Sequence, residues 1–394
     1  MESVWSAIGF LLCLMTLPGS IELALLTLGG ALPRRRVTPM PETPHALHLC
    51  VVVPAHNEEK GIAACVDSLL ACEKAGHGVT VVVIADNCDD ATAAQARSAH
   101  ARVIERHDPQ HRGKGYALDY AFSILLPEPH DAFLIVDADS RVEANFILAT
   151  AECFAQGADA LQCRYLASNP GASLRARLMH VAWLAFNVLR LRGREYWGLS
   201  VGILGNGFGL SRKTLEHVPF DAGSIAEDLE YHLRLVRADL RVRFCETTTV
   251  WSEVPASGKT AAGQRARWEG GRLRMIREQS LGLAAEAVKG KLRLLEPLLE
   301  LLLLPLAFHV FLLLCLLAVP IPLARVAALA GLALVAIHVA VALWLGKAGW
   351  RDVLALLGAP FYILWKLTLG RQLLKSASTE AAWVRTERTE SDEN

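Results

Sequence analysis

From Val4 to Leu28 the apolar positions run almost unbroken, with Glu22 as the one ionisable residue. This exceeds the ~20 residues a helix needs to cross hydrocarbon, and it predicts a membrane anchor over 1–32. Arg34, Arg35 and Arg36 follow the stretch rather than precede it. A cleaved leader would have an early basic end and a shorter apolar core, and the positive-inside rule puts the chain beyond these arginines in the cytoplasm. The proline-rich residues 33–46 read as a linker.

The pattern then changes to short apolar runs separated by helical periodicity. Leu47–Val53, Val79–Ala85 and Ala132–Val136 are continuous apolar runs, with helices expected over Glu58–Cys72 and near Thr92–Ala99. Such alternation predicts a Rossmann-like sheet of parallel strands, covered by helices on both faces. Ser173–Arg194 mixes Met179, Trp183 and Phe186 with Arg175, Arg177, Arg190, Arg192 and Arg194. It reads either as a basic amphipathic helix or as an ordinary core-facing one. Leu229, Leu233 and Val236 share a face of a helix that begins near Ile225, with Glu227 and Asp228 in its first turn.

Long apolar runs return at Leu298–Val319 and Val326–Leu345, each long enough to span and together a hairpin. Val353–Leu369 contains Gly358, Pro360 and Lys366, and its basic flanks suit an interfacial or re-entrant helix better than a crossing. The expected organisation is an anchor (1–32), a linker (33–46), a cytosolic α/β domain (47–280), a transmembrane hairpin plus interfacial helix (281–376) and a cytosolic tail (377–394).

Composition supports a chain partly in lipid: 53% of residues are hydrophobic and mean hydropathy is +0.30, above the usual ~45–50% apolar share. Lys+Arg and Asp+Glu are equal at 40 each, so overall charge offers nothing toward nucleic acid. Nine cysteines without a Cys-x-x-Cys pair argue against a disulfide scaffold and a zinc site.

Candidate chemistry gathers where strands end. Leu134-Ile-Val-Asp-Ala-Asp-Ser140 delivers Asp137 and Asp139 to the C-terminal edge of a sheet, where open α/β sheets bind ligands. Mg²⁺ and Mn²⁺ prefer oxygen ligands, and Mg²⁺ is usually held by one or two carboxylates plus substrate phosphates. Pro54-Ala-His-Asn-Glu58 and Asp86-Asn-Cys-Asp-Asp90 end the two earlier strands, so three acid-bearing turns should meet at one crevice. Gly205-Asn-Gly-Phe-Gly-Leu-Ser-Arg212 lacks the dinucleotide fingerprint and reads as a tight loop that lets backbone approach a ligand. In Gln264-Arg-Ala-Arg-Trp268 an arginine can grip phosphate and a tryptophan can carry a sugar ring, though basic residues near a bilayer also bind headgroups.

In this order the motifs resemble the membrane-bound family 2 glycosyltransferases of the cellulose synthase, hyaluronan synthase and poly-β-1,6-N-acetylglucosamine synthase group. The resemblance covers roughly Val51 to Arg272 and rests on Pro54-Ala-His-Asn-Glu-Glu59, Asp86, Arg112-Gly-Lys-Gly115, Asp137-Ala-Asp139, Gly205-Asn-Gly207, Glu227-Asp228 and Gln264-x-x-Arg267-Trp268. It implies a GT-A fold, an α/β Rossmann-like mixed sheet, a UDP-linked sugar donor, Mg²⁺ or Mn²⁺, and inversion at the anomeric carbon. Position by position, Ala55, Glu58 and Asp86 match residues that hold base and ribose, with Lys114 and Asp137 at the nucleotide. Asp139 matches the metal ligand, Arg267 the diphosphate grip and Asp228 the general base. Gly205, Asn206, Gly207, Glu227, Gln264 and Trp268 match the acceptor side. The family's Thr-Glu-Asp stands here as Ala226-Glu227-Asp228. The implied product is a β-linked exo- or cell-surface polysaccharide made at the bacterial inner membrane; the alternative is a single addition to a lipid. The small membrane part leaves room for a homo-oligomer or a secretion partner.

Overall fold

The computed structural model describes residues 2–33, 46–221, 226–255 and 258–368, without the side chains of residues 2, 258–262, 265–267 and 366–368. Most of the expected linker, Ile225 at the expected start of its helix, the tail over 377–394 and the side chain of Arg267 lie outside the described residues.

The strands are β1 (His48–Ala55), β2 (Gly78–Asp86), β3 (Arg102–Arg106), β4 (Ala132–Ile135), β5 (Arg141–Val142), β6 (Ala160–Ala167), β7 (Phe208–Ser211) and β8 (Val242–Ser252). They form one sheet in the order β3-β2-β1-β4-β7-β6-β8-β5. The parallel block β3-β2-β1-β4 follows the alternation of the sequence. Beyond β4 the sheet is mixed, because β7 runs antiparallel to both β4 and β6, and β5 antiparallel to β8. Parallel neighbours need a crossover helix, whereas the loop before β7 returns the chain in the opposite sense.

The helices of the domain are α1 (Glu2–Ala31), α2 (Ile62–Leu70), α3 (Thr92–Ser98), α4 (Lys114–Leu125), α5 (Phe146–Ala155), α6 (Leu174–Trp183), α7 (Leu191–Trp197), α8 (Arg212–His217), α9 (Glu227–Arg237) and α10 (Gly258–Val288). Successive residues of a strand face opposite sides, so β1 feeds two cores. Leu49, Val51 and Val53 pack with Ile62, Val66 and Leu69, while Cys50 and Val52 pack with Leu118, Phe122 and Tyr231. This is why the run carries no polar alternation.

The helices that follow α10 are α11 (Leu295–Leu302), α12 (Leu306–Ala318), α13 (Pro322–Leu345), α14 (Trp350–Ala355) and α15 (Ala359–Thr368). Ser3–Ala31 and Pro322–Leu345 are each long and apolar enough to cross a bilayer. The span expected over Leu298–Val319 is broken instead: α11 and α12 meet at a 74° bend. Pro305 has no N–H to continue the ladder, and the carbonyls this leaves are taken by Arg272 of α10, which donates to Glu300 O at 2.7 Å and to Leu303 O. After α13, the segment read as interfacial or re-entrant is two short helices joined by a 3₁₀ turn at Leu356–Gly358. Arg177 pairs with Asp352 at 2.9 Å, and the Arg175 guanidinium lies 4.2 Å from the Trp365 ring centroid, tying this segment to α6.

The stretch Ser173–Arg194 is a core-facing strut rather than a surface helix. It continues from α6 through a π-helical segment, Leu184–Arg190, into α7. Its arginines are consumed internally: Arg192 pairs with Glu246 at 2.9 Å, Arg190 with Glu22 at 2.8 Å, and Arg194 with Glu22, Glu296 and Glu300. Small residues let α1 lie directly on α7. A methyl group at Gly193 would sit 2.3 Å from the Leu26 carbonyl oxygen, and the Trp197 indole donates to Leu25 O at 2.8 Å.

Because the obstacle at Gly193 is backbone, Gly193→Ala should force α1 away and cost about 1–3 kcal/mol. Thermal unfolding in detergent should show a clear drop. Gly263→Ala, where a methyl group meets nothing within 4 Å, should leave the midpoint unchanged or slightly raised.

Candidate active site

The three acid-bearing strand ends do meet. Ala55, Glu58, Asp86, Asp137 and Asp139 line one cavity of about 1240 Å³, together with Arg112, Lys114, Gly205, Glu227, Asp228, Gln264 and Trp268. Ala55, Glu58, Asp86, Asp137 and Asp139 reach it because β1, β2 and β4 are parallel and all end on the same edge. The turns that follow are knitted to one another. His56 Nδ1 lies 2.7 Å from Asp86 O, and the Asn57 side chain bonds both the backbone N–H and the carboxylate of Asp89. Asn57 and Asn87 both take positive φ, 55° and 51°, a conformation asparagine tolerates better than most residues. Asp86 is buried and held by Arg106 at 2.6 Å.

Lys114 occupies the first turn of α4, just after Gly113 at φ 132°. Its ammonium donates to Asp137 Oδ1 and to Gly205 O, joining the β4 turn to the glycine loop. Gly205 in turn abuts Asp228: a methyl group there would stand 3.2 Å from Asp228 Oδ2. Burial alone would depress the Lys114 pKa, but Asp137, Glu227 and Asp228 outweigh it and raise the pKa above the ordinary lysine value. The carboxyls of the α9 terminus move the other way. Burial and the neighbouring Asp228 charge push Glu227 up to about 8, and burial raises Asp228 too, against a 2.8 Å hydrogen bond from the Leu229 N–H and the pull of Lys114. Asp228 is therefore a stronger base than a surface aspartate, beside a Glu227 that holds a proton near neutrality.

Of the Gly205-Asn-Gly207 loop expected on the acceptor side, Gly205 lines the cavity and Asn206 and Gly207 do not. The Asn206 amide is fully buried, accepting from the Asp137 N–H at 3.0 Å and donating to Ser140 Oγ at 2.8 Å. It pins the turn that carries Asp137 and Asp139. Gly207 belongs to the sheet, its N–H donating to Ile135 O at 3.0 Å. Gln264 and Trp268 sit one helical turn apart on α10 and reach the cavity, with Trp268 46% exposed.

Two residues escaped the sequence reading. Gln162, fully buried in β6, donates to Asn206 O at 2.8 Å and accepts from the Leu204 N–H at 2.8 Å, so it holds the glycine loop from below. A glutamine inside the apolar run Ala160-Leu-Gln-Cys163 was the available signal. Tyr165 lines the cavity, and burial first, then the Asp137 and Asp139 charges, raise its phenol well above the ordinary value. It remains a neutral donor.

Comparison with known proteins agrees with this fold. A model described as "Glycosyltransferase like family 2" matches residues 45–271, more than half of the chain, and the chain belongs to that family. It is a family 2 glycosyltransferase. Over 230 residues it is 25% identical to "Probable glycosyltransferase YdaM" of Bacillus subtilis, covering 56% of this chain and 54% of the relative. Over 271 residues it is 28% identical to "Beta-monoglucosyldiacylglycerol synthase" of Synechocystis, covering 66% and 56%. The chain thus spans about half the length of these curated relatives. A mannosyltransferase from Pyrobaculum calidifontis, solved with GDP-mannose and Mn²⁺, shares the fold with a TM-score of 0.57 at 17% identity, covering 95% of this chain and 97% of that one. The architecture is GT-A-like.

Asn206→Ala should strand the Asp137 N–H and remove a donor to Ser140 Oγ, at a cost of about 1–3 kcal/mol. Thermal unfolding would register the loss, and turnover should fall with it. Glu227 binds its proton more tightly folded than unfolded, so its ionisation weakens the fold progressively as pH rises from about 4.5 toward 8. Glu227→Gln should raise the melting temperature at pH 9 and hardly change it at pH 4; equal shifts at both would contradict a buried, charge-penalised carboxyl.

Proposed function

We propose that the protein moves a hexosyl unit from a nucleotide diphosphate sugar to a hydroxyl of a lipid acceptor that reaches the site from the bilayer. The continuity of the cavity carries this reading. Asp86, Lys114 and Asp139 share it with Asp228, with Leu23 of α1, with Val310 of α12 and with Val335 and Val339 of α13. An acceptor with a polar end and a hydrocarbon body suits such a lining, and the Synechocystis relative is named for a glycolipid product. In this reading α1 and α13 lie in the membrane, and the domain over 47–280 faces the cytoplasm, where activated sugars are made.

Ala55, Glu58 and Asp86 hold the nucleoside, and Lys114 with Arg267 holds the diphosphate. Among the described residues no group of three or more His, Cys, Asp or Glu is arranged to hold a metal. Asp139, with Asp137 two residues away, nevertheless fits Mg²⁺ or Mn²⁺, which complete their shell with substrate phosphate oxygens and water. A bound cation would offset negative charge on the departing diphosphate. Asp228 takes the proton of the acceptor hydroxyl while its oxygen bonds to the anomeric carbon and the bond from that carbon to the diphosphate breaks. One displacement without a covalent intermediate inverts the centre, so an α-linked donor, UDP-linked in the simplest case, yields a β-glycoside. Gly205, Glu227, Gln264 and Trp268 frame the acceptor.

A polymer-forming reading has one observation of its own: Trp268 of the Gln264–Trp268 signature stands half-exposed on the cavity wall, as a platform for a growing saccharide would. The two readings part in one assay. Purified protein in lipid vesicles, given labelled nucleotide sugars with Mg²⁺ or Mn²⁺, should place label in the organic extract rather than in high-mass aqueous product. Asp228→Asn should lower transfer by about 10²–10⁴-fold while donor-induced thermal stabilisation persists. Label confined to polymer would reject the lipid acceptor.

A further inference from the structure

The cavity has a second polar wall, built from different elements than the donor end. Arg194, the largest fully buried side chain, lines it with Glu22, Arg190, His232, Arg272 and Glu300. Arg194 Nη2 lies 3.1 Å from Glu22 and 3.0 Å from Glu300, and its Nε lies 2.6 Å from Glu296. Arg190 pairs with Glu22 at 2.8 Å, its guanidinium 5.0 Å from the Phe186 ring centroid. Arg272 is spent on the carbonyls at the end of α11. Arg190, Arg194 and Arg272 therefore stand among Glu22, Glu296 and Glu300, with Glu269 also lining the cavity and acting on Arg272, and each cation already has an internal partner. His232 adds no charge: burial lowers its pKa to about 4, and its Nε2 lies 2.9 Å from Ser200 Oγ. One hydrogen-bond donor is left over, since the buried Nε–H of Arg190 has no partner among the described residues.

Charge balance decides what such a wall can accept. A phosphate brought here would be desolvated next to arginines already neutralised by carboxylates, and it would face those carboxylates as like charges. A hydroxyl or ester oxygen carries no such penalty. The same lining includes Leu23, Phe186, Leu304, Val335 and Val339, beside His309 and His338, and this apolar share suits a hydrocarbon chain.

We infer that the Glu22–Arg190–Arg194–Glu300 wall is a headgroup site selective for an uncharged, hydroxyl-bearing lipid over a lipid phosphate. This rests on the lipid acceptor proposed above and names its chemical class. Free acceptors of the two classes differ by one group, so a matched pair tests the selectivity. Full-length protein in neutral detergent is titrated with dioctanoylglycerol and, separately, with dioctanoyl phosphatidic acid, and its melting temperature is followed. Dioctanoylglycerol near saturation should raise it by about 2–4 °C and the phosphatidic acid by less than half as much. Equal or greater stabilisation by the phosphatidic acid, or stabilisation by neither, overturns the inference.

Glu22→Gln removes the carboxylate that Arg190 and Arg194 share and should turn the preference toward the phosphatidic acid. An unchanged preference in a folded Glu22→Gln protein also overturns the inference, and the wild-type pair decides alone if the variant does not fold. Transfer separates this inference from the one beneath it. Sugar transfer to phosphatidic acid in preference to diacylglycerol defeats the charge selectivity and leaves a lipid acceptor standing. Polymer without labelled lipid defeats the lipid acceptor itself.

Discussion

One buried ammonium organises the site. Lys114 reaches from the first turn of α4 to Asp137 and to the Gly205 carbonyl, while the charges of Glu227 and Asp228 stand close enough to hold its proton. Burial pushes Glu227 and Asp228 toward protonation, and the Lys114 charge opposes this at both. Lys114 limits the rise at Asp228, and burial with the Asp228 charge leaves Glu227 as the member that carries the proton. The same contact ties three segments far apart in sequence into one wall.

Around that clasp, uncharged residues set the geometry. Asn206 bridges Asp137 and Ser140, Gln162 holds the backbone on which Asn206 rides, and Gly205 gives Asp228 room. A carboxylate used as base or metal ligand must keep a fixed position while its charge changes, and fully satisfied buried amides supply that stiffness. The Asn206 amide therefore holds the turn that carries Asp137 and Asp139.

The membrane side repeats the pattern with opposite sign. Arg194 gathers Glu22 of α1 with Glu296 and Glu300 of α11, and Arg272 caps the carbonyls exposed where α11 breaks before Pro305. Buried ion pairs add little net stability, because desolvation offsets attraction, but they specify how elements meet. Here they lock the anchor helix and the broken helix against the strut that leads into the domain. The cavity in consequence continues from the sheet edge to apolar helices.

Much of this was legible in the chain itself. Unbroken apolar runs announced β1, β2, β4, α1 and α13, since burial on both faces or in lipid removes any need for polar alternation. The acids Asp86, Asp137, Asp139 and Asp228 stood out because strand ends and helix starts are where carboxylates can be both exposed and positioned. The mixed half of the sheet was not legible: β3, with sequence Arg-Val-Ile-Glu-Arg, and the two-residue β5 carry too little pattern, and β7 is defined only by its partners. Nor could the sequence show that the arginines of Ser173–Arg194 face glutamates rather than lipid, that Leu298–Val319 bends by 74°, or that Asn206 turns inward. Periodicity reports which face of an element is apolar. Which charges meet across elements depends on tertiary packing, where partners more than a hundred residues apart are chosen by proximity and desolvation.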